Sequence, residues 1–130
     1  MKASEKVIFV SDWIKNYVNA MPSKAQSLVI GISGGIDSSV SSTLSAMTGL
    51  RTIVLSLPIK QKNTQHDLSL KHQEWLIKKF KNVEAHTINL DNLFEAFENR
   101  LSNFASDHGM ANSRARLRMT TLYQVAAANK

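Results

Sequence analysis

No cysteine occurs in the 130 residues, which excludes a disulfide scaffold, a thiolate metal site and a cysteine nucleophile. No apolar run approaches the roughly 20 residues of a membrane span, and the start Met1-Lys2-Ala3-Ser4-Glu5 lacks the hydrophobic stretch of a signal peptide. A soluble, cytoplasmic protein with no membrane partner is therefore expected. Repeats and low-complexity segments are missing as well. Charged side chains are sparse at 20%, and the 16 basic residues exceed the 10 acidic ones to leave a net +6. The lysines at 60, 62, 71, 78, 79 and 81 are scattered, so no nucleic-acid partner is expected. What is present is a globular composition, 43% apolar, in a chain long enough to bury about two thirds of its unfolded surface in one domain.

Val7, Val10, Ile14, Tyr17 and Met21 recur at helical spacing and predict an opening helix with that stripe toward the core, ended by Pro22 and Ser23. Ser27 to Ile32 is a short apolar run, the pattern of a parallel strand covered on both faces and central in its sheet. In the next helix Val40, Leu44 and Met47 predict the apolar face and Gly49 the C-cap, with the serines at 39, 41, 42 and 45 left to the surface. Arg51 to Leu57 predicts a second strand stopped by Pro58. A helix from about Thr64 to Phe80 carries Leu68, Trp75, Leu76 and Phe80, and a polar edge strand follows from Val83 to Ile88. Leu90, Leu93, Phe94, Phe97, Leu101 and Phe104 make another helical stripe. The last helix, from about Met110 to Ala128, is expected to turn Ala115, Met119, Leu122 and Ala126 to the core, with Met110, Leu117, Thr121 and Gln124 on a second face. This alternation predicts an α/β fold, a doubly wound parallel sheet with helices on both faces and right-handed crossovers. Only about three strands are foreseen, because the chain halts at Lys130 on a helix where a fourth would begin.

The informative segment runs Gly31-Ile32-Ser33-Gly34-Gly35-Ile36-Asp37-Ser38. It joins a strand to a helix, where the first helical N–H groups lack internal partners and the helix dipole adds partial positive charge. Gly34 and Gly35 are expected to permit unusual backbone angles and close approach of a ligand, and Ser33 and Ser38 add hydroxyl donors. The result is a phosphate cradle in outline, and it is neither the Walker loop nor the Rossmann fingerprint. Asp37 would repel a phosphate unless a divalent cation lay between them, so Mg²⁺ held by Asp37 and polyphosphate oxygens is expected.

After an apolar strand, Ser33-Gly34-Gly35-Ile36-Asp37-Ser38 resembles the SGGxDS loop of the ATP pyrophosphatase family. The resemblance implies that Gly31 through Ser38 hold ATP with Asp37 on Mg²⁺. It also implies that a carboxylate or carbonyl-type oxygen is adenylated with release of pyrophosphate before a nucleophile displaces AMP. A second segment, Ala111-Asn112-Ser113-Arg114-Ala115-Arg116-Leu117-Arg118-Met119, lies on the last helix. Helical spacing puts Arg114 and Arg118 on one shoulder and Arg116 on the other, beside Asn112 and Tyr123. That placement suits Arg116 to an anionic or planar ligand. The segment resembles the N-x-x-A-R-x-R-M signature of NAD synthetases, in which the arginine matching Arg116 contacts deamido-NAD.

The combined resemblance implies amidation of deamido-NAD to NAD by ammonia, with ATP and Mg²⁺, in a homodimer. Leu57-Pro58 and Thr64-Gln65-His66-Asp67 also fit, whereas Ser56 stands where several members carry arginine. A further magnesium-binding glutamate, an ATP-binding lysine and a T-K-y-G-D-G-type segment would lie past Lys130. Residues 1–130 are accordingly expected to be the N-terminal part of a single synthetase domain whose C-terminal half is absent, and to lack activity alone. The alternatives are a transfer-RNA-modifying adenylating enzyme and an inactive ATP-binding fragment. No general base or covalent nucleophile stands out, and His66, His72, His86 and His108 lack any metal-ligand spacing.

Overall fold

The computed structural model describes residues 1–23 and 25–129; Lys24 and Lys130, where the chain is expected to halt, lie outside the described residues. Among the described residues five helices and three strands follow in the order α1 Ala3–Asn19, β1 Ser27–Ile32, α2 Ile36–Met47, β2 Arg51–Ser56, α3 Asn63–Lys79, β3 Val83–Thr87, α4 Asp91–Arg100 and α5 Asp107–Ala128. A single 3-10 turn at Ser102–Phe104 separates α4 from α5, so the stripe from Leu90 to Phe104 is not one helix. The strands pair in parallel in the order β1-β2-β3. This is the α/β architecture expected, with one correction to its order. β2 holds the centre and β1 an edge among the described strands, because no described segment pairs with the far side of β1.

Strand side chains alternate in direction, and two cores result. Ile53 and Leu55 of β2, continued by Leu57 and Ile59, pack with Leu90 and Phe94 and with Met110, Leu117, Leu122 and Val125 of α5. Val54 points the other way and packs with Ile32, Ala46, Leu76 and Val83 beneath α2 and α3. Helices therefore cover both faces.

Several helices present a different face from the one their large apolar residues predict. On α2 the buried residues are Ser42, Ser45 and Ala46, while Val40 and Met47 are exposed. Small side chains let the helix backbone approach the sheet, and each hydroxyl finds an acceptor: Ser45 Oγ donates to Ser41 O at 2.9 Å and Ser42 Oγ to Ser39 O at 3.1 Å. α3 behaves alike, burying Ser69, Gln73 and Leu76 and exposing Leu68 and Trp75. Gln73 Nε2 donates to Val54 O at 3.1 Å and His86 O at 3.0 Å, stitching β2 to β3. α1 packs on α2, where Ser11 Oγ donates to Leu44 O at 3.3 Å; Val18 is buried as well, and Val7, Val10, Tyr17 and Met21 stay exposed. On α5 the inward face is Met110, Leu117, Leu122 and Val125, while Ala115 and Met119 are exposed. The expected stripe is thus half corrected: Leu122 packs on the core as expected, Met110 and Leu117 of the second face join it with Val125, and Ala115 and Met119 turn outward.

Candidate functional site

The turn after β1 sits at the C-terminal end of the sheet, where a parallel architecture gathers its ligand-binding loops. Gly35 is the N-cap residue of α2 and offers no side-chain cap, so the first-turn N–H groups of Ile36, Asp37 and Ser38 have no acceptor one turn back. Ser33 and Ser38 shape the rim. Ser33 N donates to Ser38 Oγ at 3.1 Å, the two hydroxyl oxygens lie 3.1 Å apart, and Gly35 N donates to Ser33 Oγ at 3.2 Å.

Of the two adjacent glycines only Gly34 needs its conformation. Its φ is +91°, and a Cβ there would lie 2.6 Å from the carbonyl oxygen of Gln65. Gly35 has φ −87°, an ordinary value, and a Cβ on it would meet only Ser33 Oγ at 3.4 Å. The unusual angles expected at both glycines therefore occur at one. The close neighbour of Gly34 belongs to α3, whose Gln65 Nε2 donates to Ser33 O at 3.1 Å and pins the turn from outside. Ile32 is buried in the core and offers the site only its backbone, while Ile36 is exposed.

Asp37 is exposed in the first turn of α2, and among the described residues no ion pair engages it. No group of three or more His, Cys, Asp or Glu residues suited to a metal occurs among them either. A hard cation here would therefore take one carboxylate oxygen from the protein and the rest from a polyphosphate or water, a donor set that suits Mg²⁺.

Beside the turn lies a cavity of about 170 Å³, walled by Gly31, Ile32 and Ser33, by Leu55, Leu57 and Gln61 along β2 and its loop, and by Arg118 and Leu122 of α5. Leu122 closes on Gly31, where a Cβ would sit 3.5 Å from its Cδ1. Arg118 is half-buried and donates from Nε to Leu57 O at 2.9 Å. Burial, and secondarily the charge of Arg114, pushes its pKa down, yet a guanidinium remains charged. Ser56, at the end of β2, is buried and bonded to Ser69 Oγ at 2.9 Å, so its hydroxyl is committed inside the fold.

Arg116 is not brought to this cavity. It lines a second one of about 320 Å³ over α4, with Leu93, Phe94, Phe97 and Thr120. Asn112, expected beside it, lies 3.3 Å from His108 through its side-chain amide, and Tyr123 is exposed. Arg114 stacks over the Phe94 ring at 5.6 Å. Sequence spacing separates Arg116 from its neighbours correctly but misses Arg118; the available signal is Leu122, one turn further along the same face. None of the histidines approaches the loop as a cluster: His72 bonds Ser42 at 3.0 Å, His86 is exposed on β3, and His66 Nδ1 is buried without a partner among the described residues. No described helix is long and apolar enough to cross a membrane.

The family model described as NAD synthase matches residues 7–130. A curated relative, the NH(3)-dependent NAD(+) synthetase of Mesoplasma florum, is 34% identical over 99% of this chain and 52% of its own length. Among solved structures, NMN synthetase from Francisella tularensis superposes with a TM-score of 0.87 at 33% identity, covering 99% of this chain and 52% of that one. The NH3-dependent NAD synthetase of Campylobacter jejuni gives 0.84 at 27% identity, covering 99% and 54%. The chain thus spans about half the length of the relatives it matches.

Proposed function

The chain belongs to the NAD synthase family, and from that premise we propose that it carries the ATP-handling part of an ammonia-dependent ligase. The nicotinate carboxylate of deamido-NAD is adenylated, pyrophosphate leaves, and ammonia displaces AMP to give NAD. Residues 1–130 correspond in this reading to the loop-bearing, N-terminal part of a single synthetase domain. The observation that carries the proposal is the uncapped start of α2, with its first-turn N–H groups and the paired hydroxyls of Ser33 and Ser38 on one rim. Gly31 through Ser38 hold the phosphates of ATP there, and Asp37 holds Mg²⁺ against them. The cation supplies charge neutralisation for the departing pyrophosphate. The chain's own contribution is positioning and oriented dipoles, with no general base or covalent nucleophile.

Arg116 serves a different part of the substrate. A cation at the mouth of an apolar cavity with Phe94 and Phe97 suits an anionic, planar group such as that of the dinucleotide. We further propose a homodimer, supported by the exposed Leu93, Phe97, Phe104, Met119 and Tyr123 on and around α4 and α5. Amidation of the mononucleotide instead of the dinucleotide is a second reading, favoured by one observation: of the two solved structures above, the more similar is named for NMN.

Calorimetric titration tests the proposal. The 130-residue chain is expected to bind ATP with Mg²⁺ without forming NAD, and Asp37→Ala to abolish the magnesium dependence of that binding. In the complete enzyme the same substitution should abolish turnover, assayed with both deamido-NAD and the mononucleotide. Unchanged magnesium dependence in Asp37→Ala would remove the cation from the site.

A further inference from the structure

The cavity beside the loop has an apolar floor of Leu55, Leu57 and Leu122, one amide, Gln61, and a single charged wall residue, Arg118. A guanidinium has five N–H donors in a fixed plane. Among the described residues one of them is engaged, Nε on the Leu57 carbonyl at 2.9 Å. That bond orients the plane and leaves the two terminal nitrogens for something else. Ser56, at the end of β2, cannot compete, since its hydroxyl is bonded to Ser69.

Ser33 lines this same cavity and also accepts from Gly35 N in the phosphate turn, so the wall bearing Arg118 and the anion-accepting turn share a border. A nucleotide with its outer phosphates on the turn and its nucleoside in the cavity must carry its innermost phosphate across that border. We infer that Arg118 contacts the α-phosphate of the bound nucleotide, an inference that rests on the ATP-handling role proposed above. The position matters chemically. In adenylation a carboxylate oxygen bonds to the α-phosphorus as the bond to the α–β bridging oxygen breaks, and the electron pair departs with pyrophosphate. Arg118 is then the fixed cation at the phosphoryl group where charge gathers, and its bidentate geometry matches two of that group's oxygens.

The test titrates the 130-residue chain by calorimetry with magnesium ATP, AMP, adenosine and pyrophosphate. Arg118→Met is expected to weaken AMP and ATP about tenfold while leaving adenosine and pyrophosphate within about twofold, and Arg118→Lys to recover part of the loss. Equal binding of AMP by Arg118→Met and the parent overturns the inference. So does a parallel loss of adenosine, which would make Arg118 only a strut for the Leu57 loop. Should Arg118→Met fail to fold, Arg118→Lys decides alone, with AMP weakened and adenosine unchanged as the supporting result and AMP unchanged as the opposing one. If the parent chain binds neither ATP nor pyrophosphate, the proposed function falls and takes this inference with it. If it binds ATP and Arg118→Met binds it equally, only the inference falls.

Discussion

At the scale of single residues, the loop is held by one conformational requirement and one outside clamp. Gly34 combines a left-handed φ of +91° with 2.6 Å between a would-be Cβ and the Gln65 carbonyl, so alanine there must distort the turn or push α3 away. Gly34→Ala is expected to cost about 1–3 kcal/mol, read as a lower urea midpoint, and to weaken ATP binding. Gly35→Ala should be nearly silent for stability, since its φ is ordinary and its neighbour is a serine hydroxyl. Both glycines look alike in sequence. The difference arises because α3 presses on one of them, a tertiary fact that a turn motif does not encode. The three arginines of α5 pose the same problem: 100° per residue separates Arg116 from the other two, but only packing decides that Arg118 meets the Leu57 loop.

At the scale of elements, strands are more legible than helix faces. The bounds of β1 agree with its apolar run, and β2 and β3 end one residue earlier than expected; β2, buried at five of its six positions, is legible as an apolar run and the partly exposed β3 as a polar alternation. Helix phase departs from the apolar stripe on α1, α2, α3 and α5, and on the first three small hydroxyl residues take inward positions. A serine can be fully buried when its proton goes to a carbonyl of its own helix, as Ser42 and Ser45 show, and hydrophobic periodicity does not see this. Gln73 is the most consequential of the buried polar residues. Gln73→Leu keeps the volume but leaves the carbonyls of Val54 and His86 without its amide, and is expected to lower stability by about 1–3 kcal/mol in urea unfolding.

The α2–α3 contact also has a titrating partner. His72 bonds Ser42 at 3.0 Å, and burial depresses its pKa below the ordinary 6.5. The unfolded chain therefore takes up this proton first, so the contribution of His72 is complete above about pH 6.5 and declines as acid is added. Comparison of the parent with His72→Gln at about pH 7.5 and about pH 5.5 should show a smaller acid loss in the variant. An equal or larger loss would contradict the direction.

At the scale of the whole molecule, the apolar groups left outside matter most. Leu93, Phe97 and Met119 are exposed on α4 and α5, close to the cavity that holds Arg116. If this face joins two copies, Met119→Asp should shift sedimentation toward the monomer without lowering the unfolding free energy by more than about 0.5 kcal/mol, as for a surface change. The α/β class is readable from alternation alone, whereas the strand order is not, since nothing in the run Ser27 to Ile32 says which neighbours it will have. β1 stands at the margin of the described sheet. Among the described residues its outer row of amide and carbonyl groups has no strand partner, and such a row is a template for one further strand. An extended segment laid along that margin would extend the sheet by one strand on the side away from β2.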